Sequence, residues 1–120
     1  MSIEIEPDPA APDPDRTTYS IPALIDTGAN LNAIDDAWAQ QMGLPIVDQV
    51  SVSGISGSIV LNVYLARIMI SGLAIDQLGR FTGVHLQAGG QSHLALLGRE
   101  LLKDCRLVYD GATGSVVISR

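Results

Sequence analysis

Asp26-Thr27-Gly28-Ala29 follows directly on the apolar run Ala23-Leu24-Ile25. A carboxylate that leaves a buried strand and enters a tight turn of a small hydroxyl residue and a glycine is held rigidly in partly dry surroundings, poised for acid–base chemistry. Taken alone, the same residues also make an ordinary turn whose aspartate caps backbone amides. Other side chains offer less. Asp35 and Asp36 open the segment that runs to Met42, where carboxylates favour the positive end of a helix, and Trp38 reads as partly buried core. His85 and His93 stand eight positions apart with no Cys or acidic partner at ligand spacing, so neither metal nor cofactor is expected. Cys105 ends an apolar run and reads as a buried thiol. Neither Gly-x-Ser-x-Gly nor Gly-x-x-x-x-Gly-Lys occurs, which removes support for a serine hydrolase or a nucleotide-binding loop.

Two further segments stand downstream of Asp26. Val52-Ser53-Gly54-Ile55-Ser56-Gly57-Ser58-Ile59 is a glycine-punctuated hairpin tip between alternating apolar runs, and by itself it could be a plain exposed hairpin. Leu96-Leu97-Gly98-Arg99-Glu100-Leu101-Leu102 sets Gly-Arg between pairs of leucines, and by itself it could be a helix entry with a packing glycine. In order and spacing the three segments together resemble the retropepsin family of aspartic proteases, over the chain from about Thr17 to the C-terminus, and the bacterial and retrotransposon-derived branches more than the viral one.

That resemblance implies an aspartic endopeptidase acting on extended polypeptide segments. The chemistry needs two carboxylates sharing one proton, one acting as base toward a water while the other polarises the scissile carbonyl. Like charges that close cannot both ionise, so their titrations split, and activity should peak in mildly acidic to neutral solution. One chain carries one Asp-Thr-Gly, so the resemblance implies a twofold homodimer in which the Asp26 side chains meet on the axis. By the same carry-over Thr27 bonds across the axis, Gly28 offers its carbonyl to substrate, and Ala29 and Asn30 border the binding site. Ser53, Gly54, Ile55, Ser56 and Gly57 form a flap that holds a peptide through backbone amides. Leu97 is expected as a pocket wall, and Gly98 and Arg99 as a structural motif. Viral relatives carry an acidic residue where this chain has Asn30, so the tie to Arg99 is expected to be a hydrogen bond instead of an ion pair. The alternative is a catalytically silent module of the same fold that binds peptides or dimerises within a larger protein.

These residues need a scaffold, and short runs with frequent turn signals favour a mainly β domain, a closed or nearly closed barrel with one or two short helices. Thr17 to Ile25 reads as a strand in which Pro22 suggests an edge or a bulge. The segment Asp35 to Met42 reads as a helix, stopped by Gly43 and Pro45. Val47 to Val52 and Ile59 to Ile70 make a long hairpin; Leu73 to Leu78, Val84 to Gln87 and Leu94 to Leu97 are shorter strands. A helix from Arg99 to about Cys105 and a hairpin joining Arg106–Tyr109 to Ser115–Ser119 complete the chain. Residues 1–16 hold five of the thirteen acidic residues and four of the six prolines, and read as a flexible acidic tail before a domain over 17–120.

The 120 residues are enough for one domain with its own core. A net charge of −6 without any Lys/Arg cluster argues against nucleic acid as a partner. The apolar runs are far short of the ~20 residues that span a bilayer, and the N-terminus does not read as a signal peptide. A single Cys excludes a disulfide within the chain and permits a reducing compartment. A soluble chain is therefore expected, cytoplasmic or the soluble domain of a longer anchored protein.

Overall fold

A period of two puts every second side chain on one face of a strand, so alternating apolar residues can close a sheet around a core. In the computed structural model, which describes residues 1–7 and 17–120, this pattern produces β1 (Ser2–Glu6), β2 (Tyr19–Ile25), β3 (Asn32–Asp35), β4 (Ile46–Gly54), β5 (Gly57–Ile70), β6 (Ile75–Val84), β7 (Ala95–Leu97), β8 (Arg106–Asp110) and β9 (Ser115–Ser119). Two short helices, α1 (Asp36–Gln41) and α2 (Arg99–Leu102), and a 3-10 turn at Ser71–Leu73 join them. Six strands form a ring in the order β1-β2-β7-β3-β6-β5, closed where β5 pairs with β1, while β4 lies outside it on β5. The pairs β2–β7 and β3–β6 run parallel; the other pairs are antiparallel. Ile3, Ile5, Ile34, Tyr64, Ile68, Phe81 and Leu97 fill the centre and are almost wholly buried.

Two paired elements leave the ring. Every residue from Ser51 to Val60 is exposed, so the tip half of the β4–β5 hairpin projects as an arm. Its two-residue turn at Ile55-Ser56 is closed by Gly54 opposite Gly57, which adopts a φ of 107° that only glycine takes readily. The β8–β9 hairpin forms a separate two-stranded sheet.

The first residues differ from the expected tail. Ile3 and Ile5 point inward from β1, paired to β2 at Ile3↔Ile21 and to β5 at Ile5↔Ile68, so Ser2–Glu6 is the stave that closes the ring. Its Ser-Ile-Glu-Ile-Glu alternation is a strand pattern that the proline-rich stretch after it obscures; the remainder of the expected tail, residues 8–16, lies outside the described residues. Pro22 lies neither on an edge nor at a bulge: β2 is flanked on both sides, and its register with β7 begins one residue later, at Ala23. The expected strands Leu73–Leu78 and Val84–Gln87 are replaced by the single strand β6, whose interior glycines let side chains pack where a Cβ would intrude. At Gly83 a Cβ would lie 2.4 Å from Asp36 Oδ1 and 2.8 Å from Tyr64 Cε2, the space used by the 2.6 Å bond from the Tyr64 hydroxyl to Asp36. Burial and this bond push the Tyr64 hydroxyl above its ordinary pKa. Among the described residues no helix is long and apolar enough to cross a membrane.

Polar staples hold the seams. Asp35 is buried at the start of α1, where its Oδ2 accepts from Trp38 N and its Oδ1 from Leu86 N and Gln87 N, so the aspartate expected at a helix start also anchors the loop after β6. Tyr19 meets Trp38 edge to face at 5.8 Å. Arg67 on β5 donates to Glu6 on β1 at 2.8 Å and to both oxygens of Asp76 on β6 at 2.7 Å, bridging three staves of the ring. The bonds to Asp76 and Glu6 raise the Arg67 pKa, and those from Arg67 hold the Asp76 carboxyl below its usual range.

Because Ile5 fills the core, Ile5→Ala is expected to cost about 2–5 kcal/mol in denaturant unfolding; an unchanged midpoint would return this residue to a tail. The Asp76 carboxyl is more acidic folded than unfolded, so its contribution is full above the ordinary carboxylate pKa of about 3.9 and is lost as pH falls through the lower folded value. Asp76→Asn should therefore lower the melting temperature at neutral pH, and the gap to the parent should narrow in melts taken from pH 5 towards pH 2.

Candidate active site

β2 ends at Ile25, and the Asp26 amide continues its ladder by donating to Leu97 O at 2.9 Å. The chain then turns on itself. Gly28 N donates to Asp26 Oδ1 at 3.0 Å and Ala29 N to Asp26 O at 3.2 Å, an Asx turn inside a tight backbone turn. Among the described residues no other group hydrogen-bonds the Asp26 carboxylate, so Oδ2 of this half-buried side chain keeps its acceptor capacity free. Thr27 and Gly28 beside it are exposed.

The loop that carries Asp26 is fastened from below by α2. A helix start leaves amides without partners inside the helix. Here no side chain caps α2; instead Arg99 N donates to Ala29 O at 2.8 Å and Glu100 N to Asn30 O at 2.9 Å. The Arg99 guanidinium donates to Thr27 O at 2.6 Å and also to Asn30 Oδ1, the hydrogen bond expected in place of an ion pair. Gly98 lies against the loop so closely that a Cβ would stand 2.4 Å from Leu31 O and 3.0 Å from Ala29 O. Its amide is taken by Asn32 Oδ1 at 2.9 Å, and Asn32 is buried.

Asp26, Thr27, Gly28, Ala29 and Asn30 thus form one loop with Gly98 and Arg99 packed behind it. Ser53, Gly54, Ile55, Ser56 and Gly57 lie apart from that loop, at the tip of the exposed arm, with Ile55 fully exposed and Ser53 Oγ 3.4 Å from Ser58 Oγ. Leu97 is corrected: it is fully buried in the barrel core and cannot line an open pocket. The pleat turns Leu96 the other way, beside its register partner Leu24, which is half-exposed. The sequence names Leu24 only as part of the apolar run before Asp26, and it does not single out Asn32. Alternation through Ala23 and Ile25 was the available signal for Leu24, whereas a buried Asn beside an apolar run gives none.

A cleft of about 500 Å³ opens beside the turn. Leu24, Ile25 and Thr27 line one wall, and Leu107, Tyr109 and Val116 of the β8–β9 hairpin line the other.

Residues 17–101 match the model of a family described as aspartyl protease. The matched span is well over half of the chain, and the chain belongs to that family, within the retropepsin-like clan. Its closed six-stranded barrel with few short helices fits the retropepsin fold. β1 and the β8–β9 hairpin lie outside the matched span. Comparison with curated proteins returns no match.

The Gly98 contact yields a direct test. Gly98→Ala must push Leu31 O aside and is expected to cost about 1–3 kcal/mol, and Asn32→Ala a similar amount by stranding the buried Gly98 amide. Denaturant unfolding measures both; a neutral Gly98→Ala would mean that the loop can stand away from α2.

Proposed function

We propose that the protein is an aspartic endopeptidase whose active unit is a homodimer with one Asp26 from each copy. The observation that carries this reading is a carboxylate held by the Gly28 amide and placed between Ile25 and Thr27, two residues that line an apolar cleft. Membership of the aspartyl protease family supports the chemistry. One carboxylate takes a proton from a water, whose oxygen bonds to the scissile carbonyl carbon while the second, protonated carboxyl gives its proton to the carbonyl oxygen. The tetrahedral adduct then breaks its C–N bond, and the departing nitrogen takes up a proton as the new carboxyl group forms. A lone Asp26 cannot hold both states at once, so the reaction needs the second copy.

The hairpin supports the same reading. Val108, Tyr109, Val116 and Val117 are each more than half exposed. An isolated two-stranded hairpin is marginal in water, and apolar residues on such a ribbon favour a covering surface. A second copy laid over the cleft covers them and brings its own Thr27 and Asp26 to the axis. The β4–β5 arm then acts as the flap, with Ile55 at its tip and the Gly54 and Gly57 backbone free to hold an extended peptide.

Asp26→Asn should reduce cleavage of a denatured protein substrate by at least about 10²-fold while leaving the melting temperature and the oligomeric state in place. Specific activity of the parent should fall on dilution, and Tyr109→Glu should give a monomer without turnover. Scattering that shows a lone particle still digesting polypeptides would end the dimer reading. Peptide affinity that survives Asp26→Asn, in a parent that never cleaves, would favour the silent binding module instead.

A further inference from the structure

A second, smaller cavity of about 180 Å³ lies between the Asp26 loop and the root of the β4–β5 arm. Leu31 borders it from the loop, Asp48 and Val50 from β4, Val63 from β5, Arg80 from β6 and Glu100 from α2. The register explains the assembly. Asp48 stands opposite Val63, and Val63 opposite Thr82, so three adjacent strands supply one wall. Glu100 is fixed at the opposite corner because its amide donates to Asn30 O, immediately before Leu31. The cavity thus joins the loop that carries Asp26 to the root of the arm. Its volume falls below the 300–1,000 Å³ typical of whole small-molecule sites, and it suits one long side chain.

The lining is divided in character. Leu31, Val50 and Val63 make an apolar floor, while Asp48, Glu100 and Arg80 carry two negative charges and one positive, an excess of one negative charge. Among the described residues none of these three takes part in an ion pair, in contrast to Arg67 and Asp76 elsewhere on the barrel. Asp48 accepts from Gln49 N through Oδ1 and keeps Oδ2 available. The chain as a whole is at −6.

We propose that this cavity is a specificity pocket for a lysine or arginine side chain of a peptide bound across the Asp26 site. The apolar floor takes the methylene shaft, and Asp48 and Glu100 take the cationic head at the water-facing rim. This assignment rests on the peptide-binding part of the reading above.

The test separates the two. Labelled nine-residue peptides carrying either lysine or norleucine at each position in turn are bound to the Asp26→Asn protein, so that affinity is read without turnover. At one position lysine should bind about fivefold tighter than norleucine, the scale of partly exposed ion pairs. That advantage should shrink with added salt. Asp48→Asn with Glu100→Gln should bring the two peptides to equal affinity, and Glu100→Lys should turn the preference towards glutamate, a reversal that a merely structural role would not produce. Equal binding of both peptides at every position, or a preference for norleucine or glutamate in the otherwise unaltered pocket, overturns the proposal. The absence of any peptide binding overturns it together with the reading it rests on. A lysine preference in a protein whose parent never cleaves leaves the pocket standing and removes the peptidase.

Discussion

The site depends on a close crossing of two backbones. Gly98 passes so near Leu31 O and Ala29 O that no side chain fits between them, and α2 begins at the next residue. The crossing solves two problems with one set of bonds. The uncapped amides of α2 need acceptors, and the loop carbonyls of Ala29 and Asn30 need donors; each supplies the other. The Asp26 loop is thereby held by backbone bonds and by one buried amide bond from Gly98 to Asn32. The exposed Arg99 side chain adds two further bonds to the same loop, at Thr27 O and Asn30 Oδ1.

Rigidity and exposure are distributed in the same way over the barrel. The ring is closed by β1, tied across three staves by Arg67 and packed through the centre by Tyr64 and Phe81. What projects from it is paired but uncovered: the arm from Ser51 to Val60 and the terminal hairpin. Local opening costs least where buried apolar contact is sparse. The fixed part of the molecule therefore holds the carboxylate, and the parts that open at least cost are the exposed arm and the terminal hairpin.

Much of this could be read from residue order. The Asp-Thr-Gly-Ala turn, the glycine-bounded arm, the Gly-Arg crossing and the terminal hairpin each carry a local chemical signature, and each stands where the pattern put it. The elements that escaped have no local signature. β3 is four residues, all buried between β7 and β6, so it shows no alternation. β1 is five residues before a run of prolines, and its burial exists only because β5 lies across from it. Leu97 was assigned to the wrong face because the pleat of a three-residue strand is set by its neighbours: Ile25 and Leu97 share a register position, as do Leu24 and Leu96, and only the closed ring decides which pair points inward.

Asn30 shows how a substitution within the family pattern can preserve geometry while changing its response to acid. Arg99 needs a planar acceptor at position 30 and finds one in the asparagine carbonyl, while its second arm is taken by Thr27 O. The guanidinium fork is satisfied in direction if not in charge. A carboxylate at that position would add Coulombic attraction, weak at an exposed site, and would lose it on protonation. The amide has no proton to gain in that range, and neither has the backbone carbonyl. The tie that holds the Asp26 loop to α2 is therefore indifferent to acid, so a change of pH can alter the charge of the carboxylate without loosening this support.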